Sequence, residues 1–146
     1  MLSLLIVDDE EMIRDGIAQG VPWNELGFEV MGEVCDGLQA IEAIKKKVPD
    51  VVITDIRMPE MDGIELMEYL ADHYPSIKLI VLSGYNDYEY LKSSIRNNVS
   101  DYLLKPTLIA EFIETFKKLK SIIEDEKQRE KEHEELKKKK ADNLPF

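Results

Sequence analysis

The stretch Val51-Val52-Ile53-Thr54-Asp55 is a run of four β-branched residues that ends in a carboxylate. Pro49 and Asp50 bound this run on one side, and a loop at 58–63 follows on the other. A short run of this composition between turn residues is typical of a strand buried on both faces. The sequence therefore predicts a buried strand whose end presents a polar side chain.

Four further apolar runs lie outward from this strand, at 2–7, 28–34, 77–82 and 101–104. Between them, apolar residues recur at the spacing of a helix. Three helical faces consist of Met12, Ile13, Ile17 and Val21, then Leu38, Ala40, Ile41 and Ile44, then Ile64, Leu66, Met67 and Leu70. Two more helices are predicted at 85–96 and 108–123.

This alternation of five strands and five helices predicts an α/β domain with a parallel sheet covered on both faces. Right-handed crossovers favour a doubly wound, flavodoxin-like (βα)5 arrangement with strand order 2-1-3-4-5. In such a sheet, the functional crevice lies at the carboxyl ends of the strands, where the winding reverses.

Length and charge limit both the organisation of the chain and its partners. With 146 residues and 44% hydrophobic content, the chain can bury one core, and we expect one domain at 1–123. A formal net charge of -11 repels nucleic-acid phosphates and anionic lipid. The single cysteine, Cys35, cannot form an internal disulfide, and no stretch resembles a secretory signal or a membrane span. We expect a cytoplasmic protein that does not contact membranes.

The last part of the chain, 124–146, is rich in charge and cannot bury a core face. Opposite charges lie one helical turn apart, for example at Asp125 and Arg129 and at Glu134 and Lys138. Two interpretations remain open: a solvated linker, or a signalling helix that leads to an output domain absent from this chain.

Polar residues stand where four of the predicted strands end. Asp8 and Asp9 follow the first strand, Asp55 the third, Ser83 the fourth and Lys105 the fifth. Each alone has an ordinary interpretation, since an Asp after a strand often caps a helix and a Lys often reaches water. Together they are harder to explain, because three carboxylates in one crevice repel each other unless a cation or a proton lies between them.

Oxygen ligands with open coordination positions favour Mg2+, which is readily completed by a phosphate oxygen. The pattern therefore predicts a phosphoryl site with Asp55 as the nucleophile that forms an aspartyl phosphate. Lys105 would place a positive charge against the phosphoryl oxygens, and the Ser83 hydroxyl would donate a hydrogen bond to them.

These residues resemble a known family, the receiver domains of bacterial two-component response regulators. The resemblance rests on four motifs in a fixed order. They are Val7-Asp8-Asp9-Glu10, Asp55-Ile56-Arg57-Met58-Pro59-Glu60-Met61-Asp62-Gly63, Ser83-Gly84 and Tyr102-Leu103-Leu104-Lys105-Pro106. The family implies a phosphoacceptor of a phosphorelay, not an enzyme, which takes a phosphoryl group from a sensor histidine kinase and changes shape to regulate an output.

The resemblance also assigns the phosphorylation and metal site. It implies that Asp55 is phosphorylated and that Asp55, Asp8 and Asp9 bind Mg2+, for which Mn2+ can substitute. The backbone carbonyl of Arg57 would complete the protein ligands.

Three family positions read the phosphoryl group and respond to it. Ser83 and Lys105 would contact the group, and Tyr102 is the strand-five aromatic that turns inward on activation. Tyr102 also has a plainer interpretation as a half-buried strand aromatic. The bond before Pro106 resembles the family's cis peptide, which would aim Lys105 into the crevice.

Structural roles are expected for three residues of the loop after the third strand. Pro59 would shape the loop, Asp62 would cap the following helix, and Gly63 would ease the turn. Asn98 stands where many relatives have Gly before the fifth strand, and Asn is the next best residue for a left-handed helix end.

Two segments, 21–28 and 83–90, resemble receivers joined to AraC-type helix-turn-helix DNA-binding domains. Trp23 also has a plain interpretation, as an aromatic that packs the first helix against the second strand. The resemblance implies a transcriptional regulator that contacts DNA only through an output domain outside this chain. Phosphorylation would reorganise the surface of the fourth helix, fifth strand and last helix, and so control a homodimer or an attached domain.

Two other functions remain open. A phosphatase with an aspartyl-phosphate intermediate would share the fold, the metal and the nucleophile. It usually needs a second Asp two residues after the nucleophile, where this chain has Arg57. The other alternative is a phosphorylation-independent interaction module of the same fold, and the intact set of site residues argues against it.

Overall fold

The computed structural model describes residues 1–84 and 99–142. The predicted helix at 85–96, Asn98 and most of the segment 83–90 lie outside the described residues. In the described ranges, no helix combines the length and the apolar character needed to cross a membrane.

Five parallel strands form one sheet in the order β2-β1-β3-β4-β5. Their bounds are β1 (Leu2–Val7), β2 (Phe28–Val34), β3 (Val51–Asp55), β4 (Lys78–Ser83) and β5 (Val99–Leu104). The predicted fold class and strand order are confirmed. Because the winding reverses between β1 and β3, the carboxyl ends of these two strands open a crevice.

The described helices are α1 (Glu11–Gly20), α2 (Trp23–Leu26), α3 (Gly37–Lys46), α4 (Gly63–His73) and α5 (Ile109–Asp142). The sequence did not predict α2, because a helix of four residues is too short to show periodicity. It begins after Pro22 and ends at Gly27, whose φ of 88° is a left-handed conformation suited to glycine.

An aromatic cluster joins α2 to β2 and α5. The ring centroid of Trp23 lies 4.7 Å from that of Phe116, which in turn lies 5.1 Å from that of Phe28, both edge to face. The indole N–H of Trp23 donates to the carbonyl of Ile17 at 2.9 Å. The packing role expected for Trp23 is therefore confirmed.

Side chains alternate between the two faces of the sheet. One face packs under α1, α2 and α5, and the other under α3 and α4. Most residues of the three predicted helical faces are buried, but Ile13 is partly buried, and Met12 and Leu38 are exposed. Met12 lies about 100° around α1 from Ile13, which packs on the core, and so it faces solvent. Leu38 lies in the first turn of α3, whose burial rests on the later residues Ala40, Ile41 and Ile44.

The last helix does not end at residue 123 but continues to Asp142. Its first half is buried through Phe112, Phe116, Leu119 and Ile123. Its second half, 124–142, which we call the tail helix, is exposed over 124–140. The tail helix is thus helical in structure, and its role as a linker or a signalling element stays a prediction.

Candidate functional site

Four of the polar residues predicted from the sequence meet at the carboxyl end of the sheet. Asp8 follows β1, Asp55 ends β3, Ser83 ends β4 and Lys105 follows β5. The strand register aligns these ends, since Asp55 pairs with Leu82, and Ser83 pairs with the residue before Lys105. Asp8, Asp55 and Ser83 are buried.

Lys105 lies between two of the carboxylates. Its Nζ is 3.1 Å from Oδ2 of Asp8 and 3.2 Å from Oδ2 of Asp55. The backbone N–H of Lys105 donates to the carbonyl of Ser83 at 2.7 Å, and the Lys105–Pro106 peptide bond is cis. Backbone contacts therefore fix the start of the lysine side chain, and two carboxylates hold its end.

The electrostatics of the site reflect two carboxylates against one ammonium. Burial raises the pKa of Asp55, and the charge of Asp8 raises it further, although Lys105 acts in the opposite direction. Burial acts to lower the pKa of Lys105, but attraction to Asp55 and Asp8 outweighs burial and raises it. Both shifts favour the protonated form of the group, and the carboxylates of Asp8 and Asp55 together outnumber the one ammonium of Lys105.

The turn after β1, formed by Asp8, Asp9 and Glu10, brings three carboxylates together. One oxygen from each lies within 4.8 Å of the others, with Asp8 buried and the other two exposed. Oδ1 of Asp8 accepts a hydrogen bond from the backbone N–H of Glu10 at 2.9 Å. We refer to 8–10 as the acidic turn. The sequence analysis included Glu10 in the first motif but not among the metal-binding residues, although a third consecutive acid was the available signal.

The acidic turn is also held from α1. Nη1 of Arg14 donates to the backbone carbonyl of Asp8 at 2.7 Å. The backbone N–H of Asp8 donates to Val34 at the end of β2, at 3.1 Å. Sequence reasoning did not single out Arg14, because an arginine on the polar side of a helix is ordinarily read as a solvated charge.

The loop between β3 and α4 fixes the Asp55 carboxylate and the start of the helix. Oδ1 of Asp55 accepts from the backbone N–H of Ile56 at 2.8 Å. Arg57 and Pro59 follow, both with exposed side chains. Asp62 caps α4, where its side chain accepts from the N–H of Glu65 at 2.9 Å in a capping box.

Gly63 is required for a reason other than the expected one. Its N–H donates to the carbonyl of Ile56 at 2.7 Å, and a Cβ at this position would overlap the carbonyl oxygen of Asp55. Close approach of α4 to the end of β3, not an easier turn, therefore excludes a side chain here.

Tyr102 lies on the edge strand β5, opposite Val81, with its side chain exposed. With 41% of its surface exposed, Tyr102 is more open to solvent than the half-buried aromatic of the plainer interpretation. Its inward movement on activation stays a prediction.

The family model for the response regulator receiver domain matches residues 4–117. The transcriptional regulatory protein HptR of Staphylococcus aureus is 42% identical over 106 residues, which are 73% of this chain and 41% of HptR. A solved structure of the receiver domain of AraT, a response regulator from Geobacillus stearothermophilus, is 40% identical with a TM-score of 0.82. That match covers 86% of this chain and 98% of the AraT chain.

A second solved structure, a two component transcriptional regulator AraC from Clostridium phytofermentans ISDg, is 38% identical with a TM-score of 0.79. It covers 86% of this chain and 97% of that chain. Against the curated relatives, by contrast, the chain spans less than half their length. By motif, fold and sequence similarity, the chain belongs to the response regulator receiver domain family, a regulatory family of two-component systems.

Proposed function

We propose that this receiver domain accepts a phosphoryl group on Asp55 from a sensor histidine kinase, with Mg2+ bound beside it. The observation that carries the proposal is the position of one ammonium, on Lys105, between the buried carboxylates of Asp8 and Asp55. An excess of buried negative charge favours binding of a divalent cation, and a cation beside a carboxylate favours binding of phosphate.

The donor atoms fit a hard cation. Asp8 and Asp9 present neighbouring carboxylate oxygens, and Asp55 together with the carbonyl of Arg57 would add two further oxygen donors. Mg2+ prefers oxygen ligands and keeps waters that a phosphate oxygen can replace, and Mn2+ accepts the same donors. When bound, the ion would neutralise negative charge on the transferring group.

The residues of the site divide the work of phosphoryl transfer. A carboxylate oxygen of Asp55 forms the bond to phosphorus while the bond from phosphorus to the donor's imidazole nitrogen breaks. Oδ1 of Asp55 is oriented by the N–H of Ile56, and Oδ2 faces Lys105. Lys105 stays charged beside the phosphoryl oxygens because its pKa is raised.

A surface next to this site is suited to contact with the kinase. A cavity of about 470 Å3 borders Lys105 between α1 and the start of α5, and apolar side chains line most of it. Ile109, which lines it, is exposed, as is the preceding residue Leu108. An apolar helix face on the kinase that presents a phosphohistidine would cover this surface while it reaches Asp55.

Phosphorylation would act on an output through the edge of the sheet. Ser83 would move toward the phosphoryl group, and Tyr102 would turn inward. These movements would change the surface of β5 and α5 and so control the formation of a homodimer. The tail helix would lead to an AraC-type DNA-binding domain, as the similarity to two transcriptional regulators suggests. The regulator formed by the receiver and output domains would act in the cytoplasm, and only its output domain would contact DNA.

Phosphate uptake from a small donor tests this function. The chain is incubated with Mg2+ and acetyl phosphate, and intact mass is recorded for the parent, Asp55→Asn and Asp50→Asn. The last is a matched control, since Asp50 and Asp55 flank the same strand. We expect one phosphate on the parent and on Asp50→Asn, and none on Asp55→Asn.

Phosphate on Asp55→Asn at the level of the parent would contradict the proposal. Absence of phosphate on the parent and on both variants, together with absence of beryllofluoride binding, would favour the phosphorylation-independent interaction module. Repeated turnover of added phosphomonoesters would instead favour a phosphatase.

A further inference from the structure

We propose that Arg14 is a positioning residue for metal binding, which holds the acidic turn in the conformation that receives Mg2+. This inference rests on the proposed function, because it concerns the same ion and the same carboxylates. It adds a residue outside the ligand set, on α1, whose effect passes through the backbone of Asp8.

Arg14 is joined to the acidic turn at two points. Its Nη1 donates to the carbonyl of Asp8 at 2.7 Å, and its own backbone N–H donates to the carbonyl of Glu10 at 3.0 Å. A bond from a charged donor is stronger than one between neutral groups. The backbone bond is an ordinary helical bond of α1 that any residue at this position would make, so the bond from Nη1 to Asp8 is the contact specific to arginine.

The guanidinium of Arg14 is specifically placed. Its Nε is shielded from solvent and has no hydrogen-bond acceptor among the described residues. Burying such a donor is unfavourable unless other contacts of the side chain compensate. Two contacts of the guanidinium compensate: the bond to the Asp8 carbonyl and the charge attraction to Glu33 on β2. Of the two, the bond to Asp8 is the one that reaches the acidic turn.

Repulsion between its carboxylates explains why the acidic turn needs a stabilising contact from α1. The carboxylates of Asp8, Asp9 and Glu10 lie within 4.8 Å of one another, and their repulsion favours opening of the turn when no cation is bound. Arg14 opposes this by holding the Asp8 carbonyl from the helix. Once bound, Mg2+ would offset this repulsion through its charge and would hold Asp8 and Asp9 directly, so the contact from Arg14 would matter less.

This difference between the two states gives a kinetic signature. Loss of the bond from Arg14 to Asp8 lowers the fraction of molecules whose acidic turn can receive Mg2+. The apparent affinity for Mg2+ falls in proportion to that fraction. Loss of this bond does not change the arrangement reached when Mg2+ saturates the site. Half-saturation by Mg2+ should therefore move while the maximal rate of phosphate uptake stays nearly constant.

The test compares Arg14→Met, Arg14→Lys and the control Arg129→Met, which removes an arginine from the exposed tail helix. Initial rates of phosphate uptake from acetyl phosphate are measured across Mg2+ concentrations, and Mg2+ binding is measured separately by calorimetry. For Arg14→Met we expect half-saturation to rise about ten-fold with a maximal rate within about two-fold of the parent. Arg14→Lys should restore part of the affinity, and Arg129→Met should match the parent.

Unchanged Mg2+ half-saturation in Arg14→Met, or a fall in maximal rate with no change in half-saturation, would overturn the inference. If Arg14→Met does not fold, Arg14→Lys carries the test, and parental Mg2+ affinity in that variant would count against the inference. If the parent binds Mg2+ but takes up no phosphate, the proposed function fails, while the calorimetric comparison still decides the role of Arg14. If the parent binds no Mg2+, both fail.

Discussion

Both ends of the sheet pair aspartate with lysine at similar distances, but only one end is buried. At the carboxyl end, Lys105 lies 3.1 and 3.2 Å from Asp8 and Asp55. At the amino end, Lys127 of the tail helix lies 3.4 Å from Asp50. A second pair there joins Lys78 of β4 to Glu126 of the tail helix at 2.9 Å.

Exposure, rather than distance, separates the two ends. The side chains of Asp8, Asp55 and Lys105 are 0%, 9% and 21% exposed. At the amino end, the side chains of the paired residues are between 24% and 59% exposed. Water and salt screen exposed pairs, which contribute little to stability, whereas a buried excess charge is unfavourable until a cation or proton neutralises it. The same residue types thus form the candidate phosphoryl site at one end and exposed, weakly stabilising ion pairs at the other, which we call the amino-end clamp.

Removal of the Lys105 ammonium should have the largest effect on the free energy of unfolding. In Lys105→Met, the buried carboxylates of Asp8 and Asp55 lose their shared partner, and we expect a loss of about 3 kcal/mol in the free energy of unfolding without Mg2+. Added Mg2+ should restore more stability in this variant than in the parent. Urea unfolding with and without Mg2+ measures both effects. The control Lys127→Met should lose less than about 1 kcal/mol, and an equal loss in both variants would remove the distinction between the ends.

Replacement of the Asp55 carboxylate by a neutral group should raise, not lower, the free energy of unfolding. Because its pKa is raised in the folded state, the folded protein binds that proton more tightly than the unfolded chain does, and ionised Asp55 lowers stability above the ordinary carboxyl range. Asp55→Asn should therefore gain about 1 kcal/mol at neutral pH without Mg2+. The gain should shrink as pH falls and the parent's Asp55 becomes protonated.

Thermal unfolding of Asp55→Asn and the parent, recorded from neutral to acid pH, measures how their difference in stability depends on pH. Asp50→Asn provides the comparison at the other end of β3, where the Asp50 carboxylate accepts hydrogen bonds from Ser3. We expect no gain in that variant. A pH-independent difference between Asp55→Asn and the parent would contradict the buried-charge explanation.

The smallest effect belongs to the amino-end clamp. Reversal of one charge, Lys78→Glu or Glu126→Lys, should cost about 0.5 kcal/mol at low salt, and the double reversal should restore it. High salt should reduce the cost towards zero. Urea unfolding of the four proteins at two salt concentrations gives the coupling energy. A coupling well above 1 kcal/mol would show that the tail helix is held more firmly than its exposure indicates.

The carboxyl end could be predicted from the sequence because its residues follow directly after apolar runs. Asp8, Asp55 and Lys105 each stand at the end of a strand, and rules for parallel sheets bring such ends together. The strand order followed from the same rules. Each of these inferences uses only positions along the chain and a period of two or of 3.6 residues.

Features that depend on side-chain reach could not be predicted in this way. Nothing in the spacing of Arg14 shows that its guanidinium turns back to the carbonyl of Asp8. The amino-end clamp depends on the helix continuing past residue 123, where the apolar pattern that marks a packed helix has ended. The requirement for Gly63 comes from overlap with a backbone oxygen of another element, which only the folded structure brings near.

Chemical identification of the phosphorylated residue decides whether Asp55 is the phosphoacceptor. After incubation with Mg2+ and acetyl phosphate, borohydride reduces an aspartyl phosphate to an alcohol, and peptide mass spectrometry locates the aspartate that has become homoserine. We expect conversion at Asp55 alone, and only when Mg2+ is present. Conversion at Asp8 or Asp9, or phosphate uptake that leaves Asp55 unmodified, would contradict this assignment.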